Sequence, residues 1–165
     1  MKRQVFCAAV GAAILVGLTS SALGGQATTS FGVSATVQSS CSVSATTLAF
    51  GNYNAATPTP NDSTSTLSIT CTSGLSYTVI LDGGTTTSTV NARAMTDGSS
   101  HNLTYGLYTT TGRTILLGDG TSSTQTAGGT GNGSAQTITV YGRIPISQYV
   151  TAGNYTDTVG VTVNY

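Results

Sequence analysis

The sequence predicts an all-β domain, an antiparallel sandwich of short strands. Apolar residues recur with a period of two. Phe31, Val33, Ala35 and Val37 alternate with polar or small neighbours, as do Leu67, Ile69 and Cys71, then Tyr77, Val79 and Leu81, and finally Val159, Val161, Val163 and Tyr165. Such spacing places each set on one face of an extended strand. Serine and threonine supply 53 of the 165 residues and glycine 21; threonine suits a pleated surface and glycine punctuates turns. After the first 24 residues no segment sustains an apolar period of 3.6. Low charge with much Ser, Thr and Gly also occurs in disordered chains, but regular alternation argues against disorder for most of this one.

Residues 1–24 read as a secretory signal peptide. Lys2 and Arg3 form the basic n-region, residues 5–18 are a 14-residue apolar run, and cleavage is expected after Gly24 or as late as Ala27. The run is short for a bilayer span, so no permanent membrane anchor is expected. Cys7 lies at the start of the run, not at the cleavage point where a lipoprotein cysteine would sit, and is expected to leave with the signal. About 140 residues remain, enough for one domain around one core. Their charges are Arg93, Arg113 and Arg143 against Asp62, Asp82, Asp97, Asp119 and Asp157, a net −2 with no lysine, no glutamate and no basic cluster. Nucleic acid and anionic membrane are not the expected partners.

Two cysteines remain, Cys41 and Cys71. Export into an oxidising compartment makes a Cys41–Cys71 disulfide the expectation. It would join the start of one strand to the end of the next. Two cysteines and the distant His101 are too few ligands for structural zinc.

In chain order, residues 42–50 are a candidate strand carrying Val43, Leu48 and Phe50. Residues 51–54 start a turn, and Pro58 and Pro60 keep the connection irregular. Residues 65–72 and 76–82 are the next strands, with Asp82-Gly83-Gly84 as a turn signal. Residues 93–95 suggest a short edge strand. Residues 102–109 and 113–117 suggest a hairpin about Thr111-Gly112. Residues 118–134, rich in Gly, Ser and Thr, read as a long mobile surface loop. Residues 136–144 turn Ile138 and Val140 inward until Pro145 ends the run. Residues 154–165 form the last strand, in which the chain stops. Seven or so short strands suggest an immunoglobulin-like sandwich without the usual tryptophan.

No catalytic set emerges, and none is expected. A Ser–His101–Asp triad can be drawn, but it lacks a G-x-S-x-G setting. His101 follows Asp97-Gly98-Ser99-Ser100 and reads as an exposed loop residue. Gly118-Asp119-Gly120 has too few carboxylates for calcium and reads as a turn. No cofactor is expected; a small secreted hydrolase is the remaining reading from the enzyme class.

The terminal segments carry more. A sheet that ends in a long apolar strand has an edge able to recruit another strand, and residues 28–37 have matching alternation. They can serve as the first strand of their own domain. They can also complete another copy by strand addition.

From Cys41 onward the chain resembles the spore-coat-U (SCPU) family, the pilin subunits of archaic chaperone–usher pili. The matching pieces are Cys41-Ser42-Val43, Phe50-Gly51-Asn52-Tyr53, Cys71 with Gly74 and Tyr77, Leu103-Thr104-Tyr105 with Leu107-Tyr108, and Gly118-Asp119-Gly120. Tyr141-Gly142-Arg143-Ile144-Pro145 with Gln148 follows, then Gly153-Asn154-Tyr155-Thr156-Asp157-Thr158-Val159. Leu117 departs from the pattern, which leads one to expect tryptophan there.

The resemblance implies an incomplete immunoglobulin-like β-sandwich completed by donor-strand exchange. The domains would be a signal at 1–24, a donor segment at 25–40 and an SCPU pilin domain at 41–165. Phe31, Val33, Ala35 and Val37 would be the donor side chains, and Val159, Val161, Val163 and Tyr165 the edge of the acceptor groove. The Tyr165 carboxylate would meet a basic chaperone residue. Partners would be other pilin subunits, a periplasmic chaperone and an outer-membrane usher. The product would be a cell-surface fimbrium for adhesion and biofilm, or alternatively a secreted coat or matrix protein of the same fold without a filament. Arg143 and Asp157 are expected to pair near the base of the sandwich.

Overall fold

The computed structural model describes residues 24–165. The expected signal segment, save Gly24, and Cys7 lie outside the described residues. Residues 28–37 enter no strand, so the reading of them as a first strand is not met.

The domain runs β1 (Cys41–Ala45), β2 (Asn61–Cys71), β3 (Ser76–Leu81), one helical turn (Gly84–Thr87), β4 (Ala94–Thr96), β5 (Asn102–Thr104), β6 (Gly106–Tyr108), β7 (Ala127–Thr130), β8 (Gln136–Ile144) and β9 (Val161–Asn164). One sheet has the order β1-β2-β8-β6, a second β7-β3-β9, and β4 pairs with β5. Every pairing is antiparallel. Alternation on β2 buries Leu67, Ile69 and Cys71, and alternation on β3 buries Tyr77, Val79 and Leu81. With Val140 and Ile144 from β8 and Leu107 from β6, these side chains form one core. The fold is the expected all-β sandwich.

Register explains where the sequence patterns mislead. β2 begins at Asn61 rather than at residue 65, because its polar first half pairs with β8 from Asn61↔Ile144 onward. That register sets Asp62 opposite Arg143, and the two form a bidentate pair at 2.7 and 2.8 Å. The expected Arg143–Asp157 pair is therefore not formed. β1 ends at Ala45, short of the expected Phe50. Residues 46–50 still follow β2, with Thr46 N–H donating to the Thr66 carbonyl at 3.0 Å and Ser63 Oγ to the Ala49 carbonyl at 2.6 Å.

The run at 102–109 is two strands in different sheets. The switch falls at Tyr105, whose N–H donates to the Arg93 carbonyl at 3.1 Å. The 113–117 arm is no strand; it keeps two isolated bridges, Tyr108↔Leu116 and Leu117↔Gln125, and a bond from Leu117 N–H to the Leu107 carbonyl at 2.8 Å. Within the expected loop at 118–134, residues Ala127–Thr130 are a strand on β3. Its glycines hid it from an apolar pattern and are required: a Cβ on Gly128 would lie 2.4 Å from the Tyr77 carbonyl. Arg93, expected on an edge, is fully buried. It donates to the carbonyls of Asp82 (2.8 Å), Leu117 (3.0 Å) and Leu81 (3.3 Å), tying the end of β3 to the chain after β6. Burial lowers its pKa.

Candidate functional site

β1 is the last strand of one sheet and β9 the last strand of the other. They approach each other, and a cleft lies between them. A cleft of about 470 Å³ is walled by Ala45, Thr46, Leu48 and Phe50 on one side and by Thr158, Val159 and Val161 on the other; Leu67, Leu81, Tyr105, Leu107 and Val140 line it as well. A second cavity of about 910 Å³ shares Leu48, Phe50, Met95, Tyr155 and Thr156 with the first and runs on past Tyr53 to Gly153. The two adjoin along these shared residues; the first is mostly apolar and the second, with Asn52, Asn54, Gln148 and Asn154 in its lining, is mixed.

Both walls carry unspent backbone groups. Ser40 accepts from Thr72 N–H, and Thr46 N–H donates to Thr66. Antiparallel alternation between those rungs turns the N–H and C=O of Cys41, Val43 and Ala45 away from β2. Opposite, Asp82 N–H donates to the Gly160 carbonyl at 3.1 Å, and the same alternation turns the backbone of Val161 and Val163 away from β3. An apolar floor between two open edges is what an added strand requires.

The β9 wall is a strand only over Val161–Asn164, not over the whole of 154–165. The chain before it is held by scattered backbone bonds and by side chains. Thr96 and Thr156 exchange backbone bonds at 2.9 and 3.0 Å. The Asp157 carboxylate then takes five donors: Thr85 N–H (2.9 Å), Thr85 Oγ1 (3.0 Å), Thr86 N–H (3.1 Å), Thr86 Oγ1 (3.1 Å) and Tyr105 Oη (2.7 Å). Burial pushes the Asp157 carboxyl up, but the bonds from Tyr105, Thr85 and Thr86 outweigh it and hold the group below the ordinary range. Burial, with the adjoining carboxylate, pushes the Tyr105 hydroxyl far up.

Of the residues singled out from sequence, Cys41 and Cys71 are joined by the expected disulfide. Val159, Val161 and Val163 sit half-buried against the core, and Tyr165 is exposed. Phe31, Val33 and Val37 are 87%, 85% and 84% exposed, and Ala35 is exposed as well. Three large apolar side chains on one alternating segment thus stand in solvent. His101 is an exposed loop residue whose Nδ1 meets Asp97 at 2.6 Å, and Asp119 accepts from Thr121 in a turn. Among the described residues no three His, Cys, Asp or Glu side chains form a metal-binding group. The sequence reading missed the opposing wall, although Leu48 and Phe50 carried the alternating signal for it. It also missed the Asp157 clasp, for which spacing gives no signal, because its donors lie 52, 71 and 72 residues away.

The groove can be set beside known proteins. The family model of the Spore Coat Protein U domain matches residues 27–162. Among solved structures, a chain of the CsuC–CsuE chaperone–tip adhesion subunit pre-assembly complex, from archaic chaperone-usher Csu pili of Acinetobacter baumannii, superposes with a TM-score of 0.58 at 25% identity. That match covers 79% of this chain and 40% of the other, so this chain spans about two fifths of that relative's length. No curated protein matches. With the family model covering nearly all of the domain, the chain belongs to the Spore Coat Protein U domain family.

Proposed function

We propose that the chain is a structural pilin subunit of a chaperone–usher pathway. It is exported through the periplasm, completed by a strand from another copy, and polymerised into a surface fimbrium that serves adhesion and biofilm. Residues 1–24 are the signal, residues 25–40 carry the donor strand and residues 41–165 form the pilin domain. Phe31, Val33, Ala35 and Val37 fill the groove of the next copy between β1 and β9. A periplasmic chaperone holds that groove until an outer-membrane usher exchanges it for the donor. The role is structural rather than catalytic.

The observation that carries this reading is the pairing of an open, apolar, double-edged groove with an exposed segment of matching alternation in the same chain. Burying Phe31, Val33 and Val37 contributes about 4.5–9 kcal/mol before entropy costs, at about 1.5–3 kcal/mol per side chain. The ladder also satisfies backbone groups on both walls. The relative in the Csu complex, a chaperone bound to a tip adhesion subunit, supports the chaperone and pilin partners.

Deleting residues 25–37 tests the assignment. The shortened chain is expected to bind a chaperone yet form no fibres, while the chain that retains them polymerises. Fibres from the shortened chain would overturn it.

A further inference from the structure

The wall formed by residues 156–160 is not a regular strand; backbone bonds reach it at every second residue, at Thr156 from Thr96, at the Thr158 carbonyl from Thr85 N–H (3.0 Å) and at the Gly160 carbonyl from Asp82 N–H (3.1 Å). Two carboxylates reinforce these bonds. Asp157 gathers its donors from the helical turn (Thr85, Thr86) and from Tyr105, which itself lines the groove. Asp82 Oδ1 accepts from Gly84 N–H and Gly160 N–H, each at 2.9 Å. Both carboxylates press on glycines. A Cβ on Gly84, whose φ is +77°, would fall 2.1 Å from Asp157 Oδ2, and one on Gly160 would fall 2.4 Å from Asp82 Oδ2. The turn at 83–87, the two glycines and the two carboxylates interlock around the chain that leads into β9.

We propose that Asp157 is a positioning residue of the groove: it holds the Val159–Val161–Val163 wall at its distance from β1 before any donor arrives. The inference rests on the reading of the groove as a donor-strand acceptor. A donor strand must meet two edges at once, so a wall that wanders lowers the fraction of domains able to accept it. Asp157 itself lines the cleft, but its oxygens are taken by Thr85, Thr86 and Tyr105, which leaves the donor's apolar contacts to the valines. Its loss therefore slows donor association and leaves dissociation of the completed ladder nearly unchanged.

The test uses the chain from residue 25 onward and a synthetic peptide of residues 25–40, with a peptide in which Phe31, Val33 and Val37 are replaced by serine as the control. Asp157→Ala is expected to slow association at least tenfold with a dissociation rate within about twofold of wild type. Asp157→Asn, which keeps one acceptor oxygen, should restore part of the rate, and Asp62→Ala, on the far ion pair, should leave it unchanged. An unchanged association rate in Asp157→Ala overturns the proposal. Equal binding of the serine peptide and the donor peptide to wild type overturns the acceptor reading instead. In that event hydrogen exchange in the free chain still decides the positioning role. Asp157→Ala must speed exchange at Thr162 and Asn164 while Leu67 and Val140 stay protected; unaltered exchange at the first pair refutes it.

Discussion

Cys41 and Cys71 stand opposite each other on one rung of the β1–β2 ladder, 4.1 Å apart at Cα and joined by a disulfide. Just beyond it, Thr72 N–H donates to the Ser40 carbonyl at 2.9 Å and Ser40 N–H to Thr72 Oγ1 at 3.0 Å. The strand that forms one wall of the groove is thus pinned at its first residue. Cys41→Ala with Cys71→Ala, or reduction, is expected to cost about 3–4 kcal/mol, the chain-entropy value for a loop of this length. Urea unfolding with and without reductant checks this; equal midpoints would refute it.

Acid should weaken the domain partly through Asp157. Its carboxyl lies below the ordinary range in the folded chain. Its contribution is therefore complete above the unfolded value and is lost as pH falls through the folded one. The groups that bear on it are Tyr105, which donates to it, and Arg93 and Asp82, which adjoin the same tyrosine. Asp62, held down by Arg143, and Asp97, held down by His101, add to the same acid slope. Asp157→Asn should therefore flatten the loss of stability as pH falls below the ordinary carboxylate range. Identical pH profiles for variant and wild type would contradict this.

Leu117 stands where the resemblance leads one to expect tryptophan, and it is completely buried in the core. The core is closed around leucine, so Leu117→Trp should destabilise by about 1–3 kcal/mol despite restoring the expected residue. Thermal unfolding decides; a gain in stability would mean that the site holds unfilled room.

The parts of this molecule that depend on one strand's own pattern were legible in its sequence. Leu67, Ile69 and Cys71, or Tyr77, Val79 and Leu81, alternate because one face of each strand is buried. Parts set by pairing between distant strands were not. Asp62 reaches Arg143 only through the β2–β8 register, and Asp157 reaches Thr85 only because the helical turn lies against the chain before β9. β7 escaped because Ala127-Gly128-Gly129-Thr130 has no apolar face to alternate. The groove was half visible: the valines of its β9 wall showed in the alternation, whereas the facing segment with Leu48 and Phe50 needed the sheet order to assign it.

The most direct measurement places a photo-cross-linking amino acid at Phe31 in the chain from residue 25 onward and mixes light and heavy isotope-labelled copies. If the donor assignment is right, irradiated assemblies yield light–heavy cross-linked peptides that join residue 31 of one copy to residues 45–50 or 155–163 of another. Cross-links confined to a single copy, or falling outside those two walls, would contradict the account.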